Sequence, residues 1–133
     1  METALDWGKV PEAVASIEKA ISGALSEEKE LVHVFTHLSH MYGQGSSIYT
    51  SYIYRCGSTY EETYDRWTKA KAAGAEAIVK AGGTISHQHG VGKDHAKYLP
   101  AEKGPLGIKA IQGLVDTFDP KHQMNPGKLL PEG

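Results

Sequence analysis

Two runs of β-branched and aromatic residues, "ELVHVFTHLSHMY" at 30–42 and "SSIYTSYIYR" at 46–55, flank the short turn "GQG" at 43–45. This stretch constrains the fold more than any other. Val32, Val34, Thr36 and Leu38 alternate onto one face, the period of a half-buried strand. The glycines between the runs let the chain reverse, so the pair predicts an antiparallel hairpin. Elsewhere strand-forming sequence is scarce, and only Thr84–Ser86 reads as a further short strand. A self-contained sheet of many strands is excluded.

Helical periods surround the hairpin. Val10, Val14, Ile17, Ile21 and Leu25 recur in steps of four, three, four and four, an amphipathic helix with Pro11 in its first turn. Ser58 with Glu61, or Thr59 with Glu62, has capping-box spacing. Beyond them Tyr60, Tyr64, Trp67, Ala70, Gly74 and Ile78 mark the buried stripe of a long helix, ended by Gly82-Gly83. A last helix, roughly 105–118, is expected to bury Ile111, Leu114, Val115 and Phe118 and to stop at Asp119-Pro120. The order α-β-β-α-β-α, without internal repeat, predicts an α+β fold: an antiparallel hairpin plus a short strand packed with three helices.

At 133 residues the chain suits one domain. A net charge of −2 gives no reason to expect nucleic acid or an anionic membrane as partner. The one cysteine, Cys56, excludes an internal disulfide and any multi-cysteine zinc module, which fits a reducing, cytoplasmic setting. No apolar run approaches the roughly 18 residues of a membrane span, and the N-terminus lacks a signal peptide's order. The chain opens at "METALDW", with a helix pattern almost at once, and closes on the loop "NPGKLLPEG". With so little strand sequence between, a piece of a larger protein is expected.

The chemistry concentrates in "TISHQHGVGKDHAKYL" at 84–99. In an extended strand His87 and His89 share a face, with Gln88 opposed. Gly90 and Gly92 permit a sharp turn or a close approach to a ligand, and Lys93 adds a cation. A solvated turn with surface histidines is the plain alternative. A metal site could instead recruit His33, His37, His87 and His89, the ligand set of a small hydrolase. Yet "HVFTH" has no glutamate for a general base, and a strand there puts His40 on the opposite face from His33 and His37. No metal site is therefore expected. "GVGKDH" also lacks the spacing of a phosphate-binding P-loop.

"GGTISHQHGVGK", followed about thirty residues later by "FDPKHQMNPGKLL", resembles the C-terminal part of FAD-linked oxidases of the vanillyl-alcohol-oxidase type. Within that superfamily the likeness is nearest to the alkyl-dihydroxyacetonephosphate synthases. Their histidine-rich loop is matched by Ser86, His87, Gln88, His89, Gly90, Val91, Gly92 and Lys93, and their G-x-x-I-Y segment by Gly45, Ile48 and Tyr49. The resemblance implies a flavoenzyme cap portion at 1–83, with a flavin-facing loop and C-terminal helix at 84–133. It implies that Tyr49, His87 and His89 serve catalysis, that Gln88, Gly90, Gly92 and Asn125 meet the cofactor, and that Arg55 and Lys93 hold an anionic substrate.

FAD would be bound largely by an N-terminal domain of the parent protein, and the isolated chain is not expected to hold it. Residues 119–128 would close over the cofactor. Gln88 departs from the synthase pattern, which has histidine there. The sister branch of D-2-hydroxyacid dehydrogenases binds a metal with two histidines and a glutamate. Here His40 fits its first ligand position, while Tyr49 and Gln88 stand at the other two. The alternatives to a synthase-like fragment are a dehydrogenase or oxidase of that branch, the small metal hydrolase, and a non-catalytic domain that forms a homodimer through exposed strand edges.

Overall fold

The structure, a computed structural model, describes residues 1–130. The last three residues of the expected domain range, 131–133, lie outside the described residues. The hairpin forms as its pattern predicts. β1 (Glu2–Asp6) precedes it, and β2 (Val32–His37) pairs antiparallel with β3 (Gly45–Tyr54) from Val32↔Tyr54 to His37↔Tyr49. β2 stops before Leu38 because Ser47 Oγ takes the His40 amide at 2.7 Å, which diverts the backbone from the ladder.

The third strand is not the expected one. β1 pairs with the other edge of β3, from Glu2↔Tyr49 to Asp6↔Gly45, giving the order β1-β3-β2. The opening residues are thus strand before any helix. Thr84–Ser86 instead runs beside β1 without forming a ladder. It is tied there by single bonds: Thr84 N to Ala4 O (3.4 Å), His87 N to Glu2 O (3.1 Å) and Thr3 Oγ1 to Thr84 O (2.7 Å). Five residues holding two acids gave β1 little strand signal, but Thr3 and Leu5 alternate into the core and supply the burial that holds it.

α1 (Val10–Ser22) and α2 (Tyr60–Ala81) cover one face of this sheet. Ile17, Ile21 and Leu25 meet Ile48, Ala75, Ile78 and Ile85 in the core. A fully buried Ile or Leu contributes about 1.5–3 kcal/mol, so this face anchors the fold. Gly74 lets the helices approach, since a Cβ there would lie 3.0 Å from Ile21 Cδ1. Of the two capping boxes in the sequence, Thr59 with Glu62 forms the cap: Thr59 Oγ1 accepts from Glu62 N at 3.2 Å. Gly82 closes the helix at φ 75°.

α3 (Leu99–Phe118) starts earlier than its periodicity predicts, then kinks at Gly104 (φ 65°, ψ 173°) ahead of Pro105. Leu99 is buried, but Leu114 and Phe118 are 60% and 79% exposed, against expectation. Tyr60 and Tyr64 of α2 are exposed as well. Helical period shows which residues share a face, not whether anything lies opposite. Here the second half of α3 and the first turns of α2 extend beyond the sheet. The result is an α+β fold: a three-stranded antiparallel sheet with three helices.

Candidate functional site

The sheet's second face carries the site. Residues directly opposite in antiparallel neighbours project to the same side, so the two registers set Glu2, Tyr49 and His37 in one row across all three strands. The pairs on either side, Thr3 with Ile48 and Thr36 with Thr50, belong to the helix-covered side. Tyr49 stands at the centre, its ring stacked on His37 with centroids 5.0 Å apart. His89 reaches over it from the 83–92 loop, 5.6 Å between centroids. Tyr52 and Tyr54 stack on each other on the core side, where burial, then the neighbouring Tyr54 and Asp94, push the Tyr52 phenol up to about 12. Those two pack against the core; Tyr49 lies on the opposite face.

His87 and His89 do converge, though not by strand alternation. Gln88 (φ 60°), Gly90 (φ 74°) and Gly92 (φ 57°) all adopt left-handed backbone, which coils the loop so that both rings turn toward β1. Ser86 Oγ donates to Gly90 O (2.6 Å), and Leu129 N donates to Gly92 O (2.9 Å), tying the C-terminal segment to the loop. The object of the convergence is Glu2, which the motifs did not single out. Its side chain is only 2% exposed. Glu2 Oε2 lies 2.8 Å from His89 Nε2, and Oε1 lies 3.3 Å from His87 Nδ1 and 3.7 Å from His40 Nδ1. Ser39 Oγ donates to Oε1 at 2.6 Å. Burial alone would raise this carboxyl, but the Ser39 hydroxyl, His87 and His89 together outweigh it and hold the group below its ordinary value.

Two further groups frame the cluster. Tyr42 OH is 3.1 Å from His87 Nε2, and the Trp7 indole holds the Tyr42 carbonyl at 3.0 Å. Among the described residues His87 Nδ1 has no aligned hydrogen-bond partner, and its 3.3 Å approach to Glu2 Oε1 is an ion-pair contact. Glu2, His40 and His87 bring one donor atom each within 4.8 Å of one another. The ligand set weighed from sequence is not assembled: among the described residues His33, His37, His87 and His89 form no common donor group. His33 lies instead beside Phe35 on the open end of the sheet.

The other residues singled out from sequence divide between two places. His89, Gly90, Gly92 and Asn125 line one cleft of about 750 Å³, with Gln112 and Asp119 on its far wall. Asp119 shapes that wall by accepting from Gln123 N (3.0 Å) and Met124 N (2.7 Å), which also lower its pKa. Gln88 and Lys93 are exposed on the loop next to it. Arg55 is not brought to the site. It follows the far end of β3, about 20 Å along the strand from Tyr49, and faces Glu30 at 3.9 Å. A Cβ added at Gly90 or Gly92 would meet nothing within 4 Å, so the backbone there is open to a flat ligand.

On the acid side the shifted groups all act in one direction. Glu2 and Glu102 have lowered pKa values; burial opposes both shifts, and for Glu102 the Lys103 ammonium, the Ile85 amide and the Thr84 hydroxyl prevail. His95 is lowered by burial and then by Lys71. Each group therefore takes up protons more readily when unfolded, and each stabilises the fold only above its unfolded value. Stability should fall first below about pH 8, through the Met1 amine that burial and then Lys71 hold low, next below about 6.5, through His95, and again below about 4.5, through Glu2 and Glu102. Thermal melts from about pH 8 to about pH 4 should show a falling midpoint. A midpoint that rises on acidification would contradict these assignments.

Known proteins resemble the chain over most of its length. Alkyldihydroxyacetonephosphate synthase of Trypanosoma brucei brucei is 28% identical over 116 residues, 87% of this chain and 19% of that protein. The enzyme of the same name from Dictyostelium discoideum is 32% identical over 98 residues, 74% of this chain and 16% of that one. Glycolate oxidase subunit GlcD of Bacillus subtilis is 31% identical over 132 residues, 96% of this chain and 26% of that one. The chain thus spans under a third of the length of each. A solved alkyldihydroxyacetonephosphate synthase shares the fold, with a TM-score of 0.61 and 18% identity over 95% of this chain and 19% of that one. Residues 1–129 match the FAD linked oxidases, C-terminal domain, and the chain belongs to that family.

Proposed function

We propose that the chain forms the substrate-side wall of an FAD enzyme of the synthase-like branch, exchanging an acyl group for an alcohol on a phosphorylated ketone. The row Glu2–Tyr49–His37 beneath His89 carries this reading. A phenol and an imidazole in ring contact, beside an open glycine backbone, suit proton transfer at a carbon held against a flat ring. The residues present fit one side of a flavin: Gly90 and Gly92 offer unobstructed backbone, and Gln88 and Asn125 offer amide groups nearby. When bound, FAD supplies the electron-accepting ring, and an N-terminal domain of the parent holds its pyrophosphate and adenine.

The chain's own residues position and protonate. Tyr49 and His89 move the proton, and His87 supports His89. Lys93 meets the substrate's anionic group; Arg55, remote at the end of β3, is the less suited of the two expected cations. The exposed apolar side chains of α3, Leu106, Leu114 and Phe118, dock against the parent's N-terminal domain. The free edge of β2 is where a homodimer would pair. Among the described residues no helix is long and apolar enough to cross a membrane. The single free, exposed Cys56 suits the cytoplasm.

A 2-hydroxyacid oxidase or dehydrogenase is the second reading, favoured by the coverage of the GlcD relative. Tyr49 and Gln88, a neutral phenol and an amide, are poor divalent ligands near neutral pH, which disfavours it. The FAD-loaded full-length protein should catalyse the acyl-for-alcohol exchange on an acylated dihydroxyacetone phosphate with a long-chain alcohol. Anaerobic D-lactate should leave its flavin oxidised. Rapid bleaching by D-lactate that EDTA abolishes would transfer the protein to the other branch.

A further inference from the structure

We propose that Glu2 is a positioning residue for this site: its buried carboxylate fixes the ring of His89 and the nitrogen that carries its proton. The inference rests on the reading that His89 serves the reaction. Its structural basis is independent of that reading. A carboxylate is costly to bury without partners, and the five-residue β1 would keep its register with a small side chain at this position. Instead both oxygens are engaged, and from several elements. The connection between β2 and β3 supplies Ser39 and His40, and the 83–92 loop supplies His87 and His89. β3 places Tyr49 directly across the ladder. The Met1 amino group, the other charge at this end of β1, is bonded to Thr50 O at 2.7 Å.

The consequence follows from imidazole chemistry. The two ring nitrogens are distinct, and the partner of one sets the state of the other. With Nε2 held 2.8 Å from Glu2 Oε2, the proton of the neutral ring resides on Nε2. Nδ1 is then left as the acceptor, on a side chain that is 48% exposed and lines the cleft. A carboxylate behind a histidine also raises the basicity of the ring's free nitrogen, as carboxylates behind metal-bound histidines do. Glu2 thus acts through His89 and touches no substrate.

The test uses the FAD-loaded full-length protein with 15N-labelled histidine. Wild type should show His89 protonated at Nε2. Glu2→Gln should give a tautomer mixture and lower kcat by roughly 10–100-fold, the scale for losing such a supporting partner, with KM and flavin content little changed. Glu2→Asp should recover most of the loss. Ser39→Ala, which removes a different partner of the same carboxylate, should leave the His89 tautomer single.

A wild-type His89 protonated at Nδ1 overturns the proposal without any variant, so poor folding of Glu2→Gln does not shelter it. A drop in kcat with the tautomer unchanged also overturns it, because it reduces Glu2 to a structural role. So does a stoichiometric divalent cation that is present in wild type and lost in Glu2→Gln. Full kcat in Glu2→Gln while Tyr49→Phe is impaired refutes the role of Glu2 and spares the proposed function. Full activity in both Glu2→Gln and Tyr49→Phe refutes the proposed function as well.

Discussion

In the FAD-loaded full-length protein, Tyr49→Phe and His89→Ala should each lower turnover by on the order of 100-fold or more, the upper part of the range for a proton-transfer group. The phenylalanine ring can keep the stack on His37 at the observed 5.0 Å spacing, and it preserves the strand pairing on either side. A loss of rate in this variant therefore reports the missing hydroxyl rather than a disturbed sheet. His89 is half exposed on a loop, so removing its ring costs little packing. Flavin content should remain near that of wild type in both variants. His33→Ala is the control: it lies on the same face of the sheet as Tyr49, but on β2 beside Phe35, away from Tyr49 and Glu2, and should leave turnover unchanged. Full activity in both Tyr49→Phe and His89→Ala would remove the roles assigned to these side chains.

Gly45→Ala should be the most damaging small substitution in the fold. A Cβ at Gly45 would come within 2.8 Å of the Leu5 carbonyl carbon and closer still to its oxygen. These are backbone atoms within the β1–β3 ladder, so no side chain can rotate out of the way. Relief requires β1 to leave its register, which withdraws Thr3 and Leu5 from the core and Glu2 from its partners. We expect a loss on the order of 3 kcal/mol or more, in the range of steric disruption of a core. For a domain of this size that lowers the melting midpoint by roughly 10 °C. Gly43→Ala is the matched control, since a Cβ there meets nothing within 4 Å. A Gly45→Ala protein that melts with wild type would show that β1 does not pair as described.

Local pattern carried much of this fold. The alternation at 32–36, the four-three-four steps of α1, the Thr59–Glu62 cap and the Gly82 stop are each written within a few residues and each formed, while Leu25, expected on the same helix, lies past its end at Ser22. The histidine-glycine loop and the G-x-x-I-Y segment marked Tyr49, His87 and His89 for the same reason: a motif is a local object. The His87–His89 convergence was legible as an outcome but not as a mechanism. Left-handed backbone at Gln88 achieves it, where strand alternation was expected.

Glu2, and the placement of His37 beside Tyr49, were beyond the reach of local pattern. Nothing in "ETALD" distinguishes a strand facing the histidines from a polar lead-in to a helix. Its pairing depends on a register with residues 39 to 47 positions away, decided by burial of Thr3 and Leu5. A one-residue slip would turn Glu2 into the core and Thr3 toward the histidines. The same limit applies to α3, where periodicity identified an apolar face but could not say that Leu114 and Phe118 find no cover in this chain. Residue identity and short-range spacing thus determined the hairpin, the helices apart from the start of α3, the loop and the family. Only the tertiary register determined that one carboxylate from the first strand meets three histidines from two later segments, because pairing energy is summed over contacts that no window of sequence contains.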